Sequence, residues 1–220
     1  MNRPYIIITS EVTIDGKLTL YRGASSKELM SIMTTEVYKY LHSIRANVDG
    51  IMVGCETVRT DDPSLTVRYV EGKNPIRIIP CSTANVPLNA SIFSKEAPTI
   101  IVTTKRAPQE RIEKIKKLGA EVIIAGEDLV DFDILLPELY NRGIKKLMVE
   151  GGASINWELA RKGYIDEIRI IHLPVIIGGE NVPTLVGGEG FKSLKKILRL
   201  EIVNHFIIDK FLISEWKVQK

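Results

Sequence analysis

Four local patterns in this chain carry residue types that could do chemistry. Thr13-Ile14-Asp15-Gly16-Lys17 follows a strand-like run and places a carboxylate and an ammonium around a glycine. The Asp-Gly step also has the chemistry of a plain β-turn, and that reading stands beside any functional one. The segment from Gly54 to Arg68, GCETVRTDDPSLTVR, begins where a buried strand ends, the usual place for ligands in an open α/β sheet. Gly54 permits close backbone approach, Thr57 and Asp61 offer polar groups, and Arg68 could hold a phosphate or carboxylate through two parallel hydrogen bonds. Its structural alternative is a capped short helix closed by a proline turn. Glu150-Gly151-Gly152-Ala153-Ser154-Ile155-Asn156 joins a strand to a helix, and two glycines there expose backbone N–H groups to an anion such as a pyrophosphate. Ser154 could instead cap the helix. Glu150 is harder to explain structurally, because a carboxylate at a strand end asks for a partner such as a ligand hydroxyl. The fourth pattern, LPVIIGG from Leu173 with Gly187-Gly188-Glu189-Gly190 behind it, is a long glycine-rich loop with no chemistry of its own.

The elements that must position these segments alternate. Short β-branched runs occur at Tyr5–Thr9, Gly50–Gly54, Ile76–Pro80, Thr99–Thr103, Glu121–Ala125, Lys146–Val149 and Ile168–Pro174. Most are almost continuously apolar, as strands covered on both faces are. Between them Lys27–Arg45, Gln109–Leu118, Asp131–Arg142 and Ser154–Lys162 have helical spacing, with Pro108 at one start and Gly119 and Gly143 after two ends. This predicts an α/β fold with a mostly parallel central sheet flanked by helices. Leu198–Val203 and Phe206–Val218 predict a C-terminal antiparallel hairpin turning at Asn204-His205. At 220 residues and 45% hydrophobic content, one domain over 1–220 is expected.

Other chemistries are disfavoured. His42, His172 and His205 are scattered, and Cys55 and Cys81 form no Cys-x-x-Cys pair, so no metal site is expected. Each histidine reads as an ordinary structural or surface residue. A net charge of +3 with interleaved acids does not suggest a nucleic-acid partner. No apolar run reaches membrane-spanning length and no signal peptide is recognisable, which predicts a cytoplasmic protein without membrane association. Nucleophile-elbow and P-loop patterns are missing, as is a Gly-x-Gly-x-x-Gly fingerprint after an early strand.

Taken in order from Tyr5 to Phe211, the four patterns resemble the pyrimidine reductases of riboflavin biosynthesis, and among them the stand-alone reductases of 2,5-diamino-6-ribosylamino-4(3H)-pyrimidinone 5′-phosphate. The resemblance implies a dihydrofolate-reductase-like fold, NADPH as hydride donor, a phosphorylated pyrimidine as substrate, and a homodimer. It places NADPH against Thr57 and Asp61, Ser82-Thr83-Ala84-Asn85, Val130, and Gly151-Gly152-Ala153-Ser154. It places substrate against Ser25, Arg45, Leu65, Arg68 and Glu150, with Asp61 and Glu150 as the carboxyl candidates for proton transfer beside water. The chain departs from the family at Cys81, where an acid is usual, and it has no basic residue from 82 to 94. Ser82, Thr83, Lys105 and Arg106 are therefore the candidates for reading a 2′-phosphate. No zinc deaminase motif is present, which favours the diamino compound over its deaminated successor. A dihydrofolate reductase and a non-catalytic nucleotide-binding module on the same fold are the alternatives.

Overall fold

The computed structural model describes residues 2–219. In chain order the elements are β1 (Tyr5–Thr13), α1 (Lys27–Met30), α2 (Thr35–Ala46), β2 (Gly50–Met52), α3 (Cys55–Asp61), β3 (Ile76–Pro80), β4 (Thr99–Thr103) and α4 (Gln109–Lys117). They continue with β5 (Glu121–Ile124), α5 (Phe132–Asn141), β6 (Lys146–Val149), α6 (Ala153–Arg161), β7 (Glu167–Leu173), β8 (Leu200–Ile208) and β9 (Phe211–Val218). Two compact units emerge, one from Met1–Tyr5 with His42–Met148 and the other from Ile6–Leu41 with Val149–Lys220.

In the first unit the strand order is β5-β4-β3-β2-β6, with β2, β3, β4 and β5 paired in parallel. β3 and β4 are buried along nearly their whole length, which is why IRIIP and TIIVT read as continuous β-branched runs. α4 starts on Pro108, buries Ile112 and Ile115, and ends before Gly119 at φ +89°, a conformation that favours glycine. α5 is capped by Asp131, whose side chain accepts from the Asp133 N–H at 2.9 Å, and buries Phe132, Leu135, Leu136 and Leu139.

The second unit has the order β1-β7-β9-β8, with β1 and β7 parallel and both β7–β9 and β9–β8 antiparallel. The expected hairpin is present, but its turn lies elsewhere. Asn204 and His205 sit inside β8, and the chain reverses at Asp209-Lys210, with Asp209 at φ +54°. Asp tolerates that left-handed conformation. A register shift between Ile202 and Asn204 absorbs the irregularity that a turn was expected to explain. The single helix expected over Lys27–Arg45 is two. α1 stops at Ser31, the Tyr38 hydroxyl donates to the Met30 carbonyl at 2.9 Å, and the Thr34 hydroxyl is drawn to Asp209 at 2.6 Å.

Candidate functional site

At the strand ends of the first unit the segment Ser82–Asn85 is held from several sides. The Ser82 carbonyl accepts from the Thr103 and Thr104 hydroxyls at 3.0 and 2.8 Å, and Ser82 Oγ accepts from the Val130 N–H at 3.3 Å. Two predicted cofactor positions far apart in sequence, Ser82 and Val130, are thereby brought together. Ala84 turns at φ +53°, its carbonyl accepting from Arg111 Nε at 3.1 Å, and the Asn85 carbonyl accepts from Arg59 at 2.6 Å. With their backbone so fixed, Thr83 and Asn85 stand exposed. Lys105 and Arg106 are exposed too, in surface pairs with Glu127 at 2.6 Å and Asp128 at 3.7 Å. Pairs of that kind are worth about 0–1 kcal/mol and are readily exchanged for another anion.

The loop after α3 is fixed by side chains from outside it. Thr57 is half-buried on α3, and Asp61, 7% exposed, closes that helix. Asp62 adopts φ +40° and accepts from the Ser91 N–H and hydroxyl at 2.7 and 2.8 Å. Beyond it, Arg77 Nε donates to the Ser64 carbonyl at 2.9 Å, Arg45 to the Thr66 carbonyl at 3.2 Å, and the Val67 N–H donates to Asn74 Oδ1 at 2.7 Å. The Arg68 N–H donates to His42 Nδ1 at 3.0 Å. Leu65, at φ +53° and 1% exposed, sends its side chain into the core, so any contact it makes with a ligand comes through its backbone. The two arginines differ. Arg68 is exposed, with NH1 on Thr66 Oγ1 at 3.0 Å, whereas Arg45 is 5% exposed.

His42 is a buried structural histidine, as expected, and the backbone group it holds is that of Arg68. The only sequence signal was its i,i+3 spacing to Arg45 on α2. Burial, then the neighbouring Arg45 and Arg68 charges, push its imidazole down to about 3. The two cysteines differ in state. Cys55, half-buried, has its thiol held below the usual range, first by a hydrogen bond with Cys81, and is contacted by Arg59 at 3.5 Å; Cys81 is buried and its thiol is pushed up.

In the second unit Gly151 and Gly152 lead into α6 through a cis peptide, with Gly151 buried at φ +96° and no atom within 4 Å of where its Cβ would be. The N-cap is Gly152, which has no side-chain cap, and Ser154 lies one residue inside the helix, exposed. Ser154 is therefore not the cap; the Ile155 N–H donates to the Gly152 carbonyl at 3.0 Å, and the Ala153 and Ser154 N–H groups ahead of it are the ones an anion could meet. Glu150 is half-buried at the end of β6. The glycine-rich loop packs on α6: Gly187 N–H donates to the Ala153 carbonyl at 3.0 Å, and Asn156 Nδ2 donates to the Leu185 carbonyl at 2.7 Å. Asn156 Oδ1 is buried with no hydrogen-bond partner among the described residues.

The Thr13–Lys17 turn is real, with Gly16 at φ +82°, and it is also an anchor. Asp15 accepts from the Thr13 hydroxyl at 2.7 Å and from the Gly178 and Ile177 N–H groups at 2.6 and 3.1 Å, and Lys17 Nζ donates to the Gly179 carbonyl at 2.8 Å. The Thr13 bond, then the Gly178 bond, hold the Asp15 carboxyl down to about 2. Ser25 is half-buried, its Oγ accepting from the Lys27 N–H at 3.2 Å at the entry to α1. Among the described residues no His, Cys, Asp and Glu group is placed to hold a metal, and no helix is long and apolar enough to cross a membrane.

Three similarities to known proteins bear on this arrangement. The chain is 75% identical over 219 residues, 99% of its length and 98% of the other's, to a 2,5-diamino-6-ribosylamino-4(3H)-pyrimidinone 5′-phosphate reductase of Aquifex aeolicus. A protein of the same name from Methanothermobacter thermautotrophicus is 38% identical over 220 residues, covering 99% of both chains. Among solved structures, a Thermotoga maritima diaminohydroxyphosphoribosylaminopyrimidine deaminase/5-amino-6-(5-phosphoribosylamino)uracil reductase superposes with a TM-score of 0.78 at 23% identity, over 99% of this chain and 57% of that longer one. That likeness speaks for the fold, which is the dihydrofolate-reductase-like one expected. The model of the RibD C-terminal domain matches residues 4–213, and the chain belongs to the RibD C-terminal domain family.

Proposed function

We propose that this chain reduces the ribosylamino side chain of 2,5-diamino-6-ribosylamino-4(3H)-pyrimidinone 5′-phosphate to the ribitylamino form, with NADPH as electron donor. The 75% identity to a reductase of that name, along nearly the whole of both chains, is the observation that supports it most. The choice of the diamino compound over its deaminated successor draws on the same observation; the riboflavin biosynthesis protein RibD of Bacillus amyloliquefaciens, of which this chain covers 53%, is 31% identical. A pocket can sense that amine-for-carbonyl exchange strongly, since it swaps a donor for an acceptor.

Two features fit a dinucleotide. α6 begins without a side-chain cap, and Gly151 leaves open the space a side chain would fill. We assign Gly151, Gly152, Ala153 and Ser154 to its pyrophosphate, and Thr57, Asp61, Ser82, Thr83, Ala84, Asn85 and Val130 to the rest of it. Lys105 and Arg106, in exchangeable surface pairs, are the groups with charge to spare for a 2′-phosphate. When bound, the nicotinamide supplies the hydride.

The protein's own part is positioning and charge. The exposed Arg68 guanidinium is assigned to the substrate phosphate, and the buried Arg45 adds positive potential while holding the Thr66 carbonyl. Ser25 and the Leu65 backbone complete the substrate contacts, and Glu150 accepts from a substrate hydroxyl. A proton must reach the sugar ring oxygen or the amine, and Asp61 and Glu150 are the carboxyl groups assigned to move it. We further propose a cytoplasmic homodimer joined through the final hairpin, whose Ile202, Val203 and Ile207 are 47%, 47% and 71% exposed. The test is NADPH oxidation on mixing with freshly made ribosylaminopyrimidine phosphate, with the ribityl product identified by mass. No oxidation with either pyrimidine would remove the assignment. A higher kcat/KM on the deaminated compound would overturn the substrate choice alone.

A further inference from the structure

His42 is 1% exposed in the last turns of α2, and both of its ring nitrogens face N–H donors. On one side the Arg68 backbone N–H points at Nδ1 at 3.0 Å; on the other Arg45 NH1 lies 3.4 Å from Nε2. An arginine is a donor only, and so is a backbone N–H. A neutral imidazole has one acceptor nitrogen, so it can satisfy one of these neighbours and not both. The backbone N–H cannot turn away, whereas Arg45 NH1 has the Thr66 carbonyl at 3.2 Å as an acceptor. The arrangement therefore selects the tautomer with the proton on Nε2 and a bare Nδ1. A protonated ring would put a third positive charge beside Arg45 and Arg68 and would lose the Nδ1 acceptor altogether. The Tyr69 ring, 4.9 Å away between centroids, closes a further side of the imidazole without adding a charge.

We propose that His42 is a positioning residue for Arg68: it fixes the Arg68 backbone through Nδ1 and so sets the direction in which the exposed guanidinium meets an anion. The inference rests on the reading of Arg68 as the contact for the substrate phosphate. It adds a group that never touches substrate but on which substrate affinity depends. The neighbouring anchors make the direction sensitive to this one bond. Residues 64, 66 and 67 are tied by Arg77, Arg45 and Asn74, and the Arg68 N–H is the tie that His42 supplies, one residue before exposed Tyr69.

The test compares His42→Leu, His42→Asn and Arg68→Ala, and combines the first and third. Leu keeps the apolar bulk and removes the acceptor, while the Asn carbonyl oxygen can take the place of Nδ1. His42→Leu is expected to raise the substrate KM about tenfold, a decade of anion affinity, with kcat and the NADPH KM near parent values. His42→Asn should restore most of that loss. In the Arg68→Ala background His42→Leu should add nothing, because the effect runs through Arg68. A rise in KM of the same factor with and without Arg68 would overturn the proposal, as would a parent-like KM in His42→Leu. An unchanged KM in Arg68→Ala alone would instead remove the role of Arg68, and this inference with it. Should His42→Leu fail to fold, nitrogen NMR of the unaltered protein decides. At a pH of about 5, where an ordinary histidine is charged, the His42 ring must be neutral with Nδ1 unprotonated, and a doubly protonated ring there refutes the inference.

Discussion

Replacing Arg77 by Met should lower stability by about 3 kcal/mol, and the structure says where that comes from. Arg77 is fully buried inside β3, an unusual place for a guanidinium. It donates to the carbonyls of Ser64, Ile92, Ser94 and Ala97 at 2.9, 2.8, 3.0 and 3.0 Å, and to Ser94 Oγ at 2.9 Å. Met retains much of the stem's volume, so packing changes little and the hydrogen bonds decide the outcome. The Ile92 carbonyl keeps the Thr99 hydroxyl at 2.5 Å. The carbonyls of Ser64 and Ser94, on half-buried residues, can recruit water, at about 0.5–1.5 kcal/mol each. The Ala97 carbonyl, on a residue 7% exposed, loses this bond with little access to water, at about 1–3 kcal/mol. Removing a desolvated charge returns part of the sum. With a urea slope of about 3 kcal/mol/M the unfolding midpoint should fall by about 1 M. Arg77→Lys should lose less, keeping a charge and some of the bonds. A midpoint for Arg77→Met within about 0.2 M of the parent would refute the view that this guanidinium is held for its carbonyl contacts.

Asp15→Asn should speed hydrogen exchange at the Ile177 and Gly178 amides, since a neutral amide oxygen is a weaker acceptor than the carboxylate they now meet. The parent should hold that protection above the ordinary carboxylate range and lose it only as pH falls toward about 2, because the folded-state pKa is depressed. Unchanged exchange in Asp15→Asn would count against the anchor. Alkylation at neutral pH should label Cys55 well before Cys81, with its rate rising at a pH below that of an ordinary thiol; mass mapping of the labelled peptide checks this. Gly188→Ala should lower the melting temperature, because its Cβ would fall 2.1 Å from Trp157 Cδ1 at φ +75°, and a parent-like melt would show that the loop yields freely.

What could be read in advance follows the range of the forces involved. β3, β4 and β6 were legible to their ends, because strands buried on both faces leave an unbroken apolar record. The break at 31–34 was not, because apolar spacing runs through it and what stops α1 includes tertiary contacts of Met30 and Thr34. The hairpin turn was misplaced for a related reason. Asn204-His205 has turn chemistry, but pairing of β8 with β9 continues past it to Ile208 and Phe211. At the candidate site, residue types and order were visible as motifs, whereas their division of labour was not. That Leu65 turns inward, that Arg45 holds a carbonyl while Arg68 faces water, and that His42 supports Arg68 are all consequences of folding α2 and β3 around one loop.

That loop owes these anchors to side chains rather than to a strand ladder, and this bears on how such a protein can change over generations. Arg77, Arg45, Asn74 and His42 each hold a separate backbone group of residues 64–68. Single codon changes can therefore retune one stretch of the loop while the register of β2 and β3 stays as it is. A scaffold wired in this way can diverge in what it recognises without renegotiating its architecture, one physical route by which a single fold comes to serve many ligands.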